Sequence, residues 1–432
     1  MGSRLRGSNS DSEDLRIVQL IQEIEDDDSE VESAPSTQRV RGYIPREREV
    51  VAQRLWDDYF SETPKYPQRK FKCRFRMRIQ LFLRIVQGIT TFQSDNMPEY
   101  FTYFSQRVDA IGRPTFTTLQ KCTSAIRQLA YGTAPDMWDE YLQMSEQTSM
   151  LCLDYFCMCI IILYKREYMR SPNEHDVARL YSAHEERYGF RGMLESIDCM
   201  HWEWRNCPVA LKGQYTRGDH KKPTLMLEAV ASYDLWIWHA LFGMTGSNND
   251  INVLNQSPIF DKLKNGTFSS APFEVNGHEY SKGYYLADGI YSDWATLVKG
   301  YSCPTKEPTI KFTRFQASVR KDIERAFGVL QGRFHIISIA SRSMSVNRMR
   351  RVMECCLILH NMILEDNGFA LSKWEERFTT EEMKNGMERI RNRGRDRDII
   401  AREIRDRDLH NQLTEDLVEH IWNLPPTFRN AN

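Results

Sequence analysis

The 432 residues are enough for two or three domains, and a hydrophobic content of 41% supports a real core. Charge is nearly balanced, with 58 Lys and Arg against 59 Asp and Glu, which excludes a chain-wide basic signature for nucleic acid; any such signature must be local. Ten cysteines at irregular spacing, no CxxC pair and no apolar h-region at the N-terminus argue against zinc sites, a disulfide framework and secretion, so reduced thiols inside a cell are expected.

Residues 1–40 read as a disordered acidic tail, with Asp11, Glu13, Asp14 and then Glu23 to Glu32 set among serines. Residues 41–188 read as helical. "REREVVAQRLWDDYF" has helical spacing. From Lys65 to Arg84 eight basic residues and no acid interleave with Phe71, Phe75, Met77, Ile79 and Phe82. Such a stretch either grips phosphates or simply keeps its charged face wet, and the sequence leaves both open. "TFTTLQKCTSAIRQLAYG", "PDMWDEYLQM" and "EQTSMLCLDYFCMCIIILYKREYM" predict three more helices, the last capped by Ser145. Short helices in series are compatible with a helix-turn-helix and equally with a plain bundle. The apolar run from Met150 is short for a bilayer and holds Asp154, so a buried core helix is expected there and no membrane span.

At Gly192 the pattern changes. "MLESIDCMHW" reads as a strand, and "PTLMLEAVASYDLWIWHALFGMTG" as two strands joined near Tyr233 and Asp234. "DINVLNQSPIFDKL" is helical, and "KGYYLADGIY" is a strand ending at Asp288. The stripe Ile323, Ala326, Phe327, Leu330 and Phe334 makes "RKDIERAFGVLQGRF" an amphipathic helix, and "MRRVMECCLILHNMILED" is another. Residues 189–368 are thus expected to form an α/β mixed sheet covered by helices. Residues 369–432 form a charged helical C-terminal segment.

Three carboxylates stand out by position. Asp198 lies inside an apolar strand, Asp288 ends a later strand, and Glu324 flanks the stripe of the following helix. A carboxylate in an apolar strand is costly unless paired or bound to metal. Oxygen ligands of this kind suit Mg²⁺ or Mn²⁺, and two such ions clamp the attacking and leaving oxygens of a phosphodiester. Gly328, one turn beyond Glu324, costs about 1 kcal/mol relative to alanine in a helix, which fits a need for space beside the acid. Lys311 to Arg351 carries ten basic residues and two acids. That local excess points to a phosphate backbone, with Arg320, Lys321, Arg325 and Arg333 as the helix contacts. The bland reading of Glu324 is an ordinary ion pair on a wet helix face. Asp250 reads as a loop or helix-cap residue supporting the site, His201 as a structural neighbour of Asp198, His360 as a satisfied core histidine, and Asp322 and Asp293 as surface residues.

"GMLESIDCMHWEWRNCP", "KGYYLADGIYSDWATLVK", "RKDIERAFGVLQGRF" and "CLILHNMILED" resemble the PIF/Harbinger superfamily of DDE transposases and the nucleases derived from it, most closely the plant branch. The resemblance runs from about Phe71 to Trp422. It implies an RNase H-like fold after the helical N-terminal part, and a catalytic, metal-binding triad of Asp198, Asp288 and Glu324. Thirty-five residues separate the last two, as the family typically shows. It also implies DNA as substrate, nuclear location with the cytoplasm left open, and a Myb/SANT-like accessory protein; a homo-oligomer is left open. The departure is Glu195, where the family usually has glycine, and it is expected to put a fourth acid near Asp198. The alternative is a domesticated, catalytically silent chromatin or adaptor protein that keeps the fold.

Overall fold

The computed structural model describes residues 46–108, 112–218, 221–259, 271–370 and 404–425. The expected acidic tail and most of the charged C-terminal segment lie outside these residues. Seven principal helices come first: α1 (Arg48–Tyr59), α2 (Gln68–Phe75), α3 (Ile79–Thr91), α4 (Glu99–Phe104), α5 (Thr118–Tyr131), α6 (Glu146–Tyr168) and α7 (Glu174–Tyr188). Ser145 caps α6 as its sequence suggests, its Oγ accepting from the Thr148 N–H at 3.3 Å. The basic stretch breaks into α2 and α3 at Arg76, whose φ of 63° is left-handed and ends α2. Much of its charge is committed inside the chain. Arg78 pairs with Asp366 at 2.6 Å, Arg84 donates to the Tyr168 hydroxyl at 2.9 Å, and Arg74 lies over the Tyr66 ring. Arg69 and Lys70 stay exposed. Among the described residues α6 alone is long and apolar enough to cross a membrane, and half of that apolar window is buried within the protein.

The sheet has five strands: β1 (Met193–Glu203), β2 (Thr224–Ala231), β3 (Ile237–Thr245), β6 (Tyr284–Leu286) and β7 (Leu297–Val298), in the order β3-β2-β1-β6-β7. A separate hairpin, β4 (Phe273–Val275) and β5 (His278–Tyr280), turns at Asn276 and Gly277, both with positive φ. β1, β2 and β3 are antiparallel in series, whereas β6 runs parallel to β1 and β7 parallel to β6. This mixed connectivity is compatible with an RNase H-like fold. After β3 comes α8 (Asp250–Gln256); α9 (Glu307–Arg333), α10 (Val346–Asp366) and α11 (Arg407–Asn423) complete the described helices.

Strand alternation divides the core. Met200 and Trp202 of β1 join Leu225, Leu227 and Ala229 of β2 on one face. The expected stripe of α9 packs there, with Ile323, Ala326, Leu330 and Phe334 fully buried. The same cluster continues into Phe156 of α6 and Phe71 and Phe82 of the early helices, so the N-terminal helices and the sheet share one core. Ile197, Val230, Tyr285 and Leu297 face the other way, beneath Leu254 of α8 and Val177 of α7. Asn361 of α10 ties the layers: its amide donates to the Tyr168 and Ile237 carbonyls and accepts from the Ile237 N–H.

Candidate carboxylate site

β1 and β6 are parallel neighbours with Ser196 registered on Leu286. Two residues further along each chain stand Asp198 and Asp288, level with one another where the strands part. The carboxyl ends of parallel strands are where open α/β sheets usually take ligands. Asp288 is two residues past the observed end of β6, so it belongs to the turn and is exposed. Its Oδ1 accepts the Gly289 N–H at 2.7 Å.

α9 crosses these strand ends with one polar row. Gln316, Arg320, Glu324 and Gly328 follow at i, i+4, i+8 and i+12, a single face of a helix. Gln316 is buried and donates to the Ala287 and Val298 carbonyls at 2.9 and 3.1 Å, which pins the helix to the ends of β6 and β7. One turn later Arg320 Nη1 donates to Asp198 Oδ2 at 2.5 Å, and its Nη2 donates to Glu324 Oε1 at 2.7 Å. The other Asp198 oxygen accepts the Cys199 N–H at 2.8 Å. Asp198 and Arg320 side chains are only 18% and 17% exposed, whereas Glu324 is 46% exposed. Gly328 faces open space, with nothing within 4 Å of where a Cβ would stand.

Asp250 completes the cluster from the far side of β1. Asn249 is the residue that caps α8, its side chain accepting from the Asn252 N–H at 2.8 Å, so the expected cap role moves one residue back. Asp250 instead neighbours Cys199, whose thiol meets the Tyr291 hydroxyl at 3.6 Å. Burial holds the Asp198 carboxyl above its ordinary range despite Arg320, and Asp250 adds to the rise. Burial likewise raises Asp250 against the pull of Arg217, with Asp288 and Glu228 adding to it. Asp198, Glu324 and Asp288 outweigh burial at Arg320 and fix its charge. Asp250 thus acts on Asp198 through charge, while Asp198, Glu324 and Asp288 all act on the half-buried Arg320 guanidinium.

Several expectations need correcting. Arg320 is an internal partner of two carboxylates and is not free for phosphate. Arg333 points inward and donates to His360 Nδ1 and to the His360 carbonyl, both at 3.1 Å. Arg325 pairs with Asp322, which is 1% exposed and so no surface residue; Tyr188 also donates to it at 3.2 Å. Lys321 alone of the four helix cations is exposed with no recorded ion pair. Glu195 lies near the other end of β1, where its charged neighbours are Asp234 and Asp176. His201 stands three residues from Asp198, hence on the opposite face, and shares a hydrogen bond of 2.8 Å with Thr224. His360 is the satisfied core histidine expected: Arg333 stands at Nδ1, Nε2 donates to the Leu235 carbonyl at 2.9 Å, and burial pushes the imidazole down to about 3. Sequence reasoning missed Gln316 and the Cys199–Tyr291 pair. Gln316 was findable as the preceding member of the i, i+4 row.

The donor set fits a hard divalent cation by its chemistry, since it is made of carboxylate oxygens and two of them are raised by burial and mutual repulsion. Among the described residues no three such groups yet stand together at ligand distance, and the positive charge of the site is supplied by Arg320.

Residues 166–370 match the plant transposon protein family, and residues 52–90 match a domain of unknown function. A relative in Arabidopsis thaliana, "Protein ALP1-like", is 23% identical over 186 residues, which is 43% of this chain and 46% of that protein. This chain is related to the PIF/Harbinger transposases. The Arabidopsis match spans about half of that relative, and no solved structure matches the chain. The transposon family match contains all four acids of the cluster together with Gln316, Arg320 and Gly328.

Proposed function

We propose that this transposase relative is a divalent-metal-dependent DDE nuclease that cuts and joins DNA phosphodiester bonds. Asp198, Asp288 and Glu324 would hold Mg²⁺ or Mn²⁺, with Asp250 in support. The observation that carries this reading is the meeting of Asp198 and Glu324 on one guanidinium, with Asp288 level with Asp198 at the neighbouring strand end. Bound ions of this type activate the attacking oxygen and stabilise the leaving one. The chain's own residues supply position. Gln316 fixes α9 on the strand ends, a strand and a helix carry Asp198 and Glu324, and the open space at Gly328 admits substrate beside Glu324. Lys321, exposed one residue from Arg320, is suited to a DNA phosphate. On this reading the chain works on DNA in the nucleus with a Myb/SANT-like accessory protein, as the family resemblance implies.

A second reading, a silent chromatin or adaptor protein, draws on the same guanidinium, because Arg320 occupies Asp198 and Glu324 in the structure. DNA cleavage with Mn²⁺, with the accessory protein present, separates the two. Glu324→Gln keeps shape and removes charge. Loss of a surface ion pair changes stability by about 0–1 kcal/mol and leaves rate alone, whereas losing a metal ligand should exceed the roughly 10–100-fold loss seen for groups that merely orient ligands. An active wild type with a fully active Glu324→Gln would sink the triad. A wild type inert on every substrate, yet bound to DNA, would favour the silent reading.

A further inference from the structure

We infer that Arg320 is a resident counter-cation that a divalent metal must displace from Asp198 and Glu324, so that the carboxylate site is preorganised and at the same time self-inhibited toward metal. This rests on the proposed reading of the acids as metal ligands and adds a positioning role that the reading does not require.

The geometry argues it in three steps. A guanidinium is a planar fork of donors, and here its two arms reach acids on different elements, Asp198 on β1 and Glu324 on α9. It thereby ties α9 to the middle of β1 through an ion pair, one turn beyond the Gln316 clamp. Next, both members of the inner pair are largely removed from water, at 17% and 18% exposure, so neither screening nor water replaces the contact. Finally, the charges that act most on Arg320 are acids, Asp198, Glu324 and Asp288, with Asp250 acting on Asp198. Removing the guanidinium leaves the half-buried Asp198 without its ion-pair partner, close to the other acids. Oxygen ligands for a hard cation are then free at the moment when repulsion between them is greatest. Arg320 and a metal thus compete for the same oxygens.

The test is Mn²⁺ alone, titrated calorimetrically and by thermal melting into the full chain. Wild type, Arg320→Gln, Arg320→Lys and Lys321→Gln are compared. Arg320→Gln should melt lower than wild type without metal and bind Mn²⁺ more tightly, on the order of tenfold, the equivalent of one charge-assisted hydrogen bond removed. Its melting gain on adding Mn²⁺ should therefore exceed that of wild type. Arg320→Lys keeps one positive charge without the fork and should fall between the two. Lys321→Gln makes the same change in net charge one residue away and should bind Mn²⁺ as wild type does. If wild type responds to Mn²⁺ and Arg320→Gln responds equally or less, the competition is overturned while the metal site stands. If Lys321→Gln tightens binding as much as Arg320→Gln, the effect is general charge and the inference fails. If no variant responds to Mn²⁺, the metal reading itself fails.

Discussion

Glu195→Gln isolates the energetics of a buried acid. Glu195 is 1% exposed, its Oε1 has no hydrogen-bond partner, and burial first, then Asp234 and Asp176, raises its carboxyl well above the ordinary range. A folded-state pKa above the unfolded one means that the folded chain holds the proton more tightly. The stabilisation is fully present below the unfolded value, about 4.3, and is lost as pH rises toward the folded value, at up to about 1.4 kcal/mol per pH unit. Glutamine matches the shape of the neutral acid and does not titrate. The stability of Glu195→Gln relative to wild type should therefore be least favourable near pH 4 and improve steadily above it, by up to roughly 3 kcal/mol two pH units higher. Urea unfolding of both proteins from pH 4 to 8 measures the difference directly, and titrating groups that do not interact with Glu195 cancel in it. A difference flat with pH, or falling as pH rises, would refute the argument. Because Glu195 is not among the charges that shift Asp198, the response to Mn²⁺ should be the same in both proteins.

Gln316→Ala removes the side-chain donor from the buried Ala287 carbonyl and leaves the Val298 carbonyl with the Ala287 N–H alone, so urea melts should show a loss of about 1–3 kcal/mol, and cleavage should fall further than stability does because Arg320 and Glu324 follow on the same row. Gly328→Ala meets no neighbour and should stabilise α9 by up to about 1 kcal/mol; if the open space admits substrate, cleavage by that variant drops while its melt rises. For the cations, Lys321→Ala should flatten the log-log salt dependence of DNA binding by about 0.9, whereas Arg333→Ala should leave the slope alone and lower the melting temperature, since it orphans contacts to His360.

The strand containing Asp198, the β2–β3 hairpin, the helix of the opening stripe and the Ser145 cap were all legible, because each is written in local periodicity or in one capping side chain. The β4–β5 hairpin was legible too, in Asn276-Gly277, and went unread. What the sequence could not give is which partner a charged side chain chooses. Arg333 and Lys321 look alike in a string, yet one bends into the core toward His360 and the other faces water. Asp322 reads as a surface acid because it sits between Lys321 and Arg325, but its own position on the helix turns it to Tyr188. Glu195 reads as a neighbour of Asp198 because three residues seem close. Along a strand they span about 10 Å and change face. Register between β1 and β6 was likewise invisible, and it is what sets Asp198 level with Asp288.

Charge counted along a chain and charge offered to a ligand are different quantities here. Of the ten cations from Lys311 to Arg351, Lys311 donates to the Ile421 and Trp422 carbonyls, Arg348 pairs with Asp154, and Arg320, Arg325 and Arg333 have the internal partners already described. Half of those cations thus have partners inside the protein. The site itself carries Asp198, Asp250, Asp288 and Glu324, so a phosphate backbone approaching it meets like charge. Exposed Arg314, Lys321 and Arg342 stand on or after α9 and can draw DNA toward that helix, but they do not cancel acids that Arg320 only partly offsets. On the proposed reading, the feature that makes the site hostile to a bare phosphodiester is the one that makes it receptive to a divalent cation. Neutralising the acids removes the repulsion, so cation and DNA must strengthen one another's binding, by linkage, to the same extent in either order.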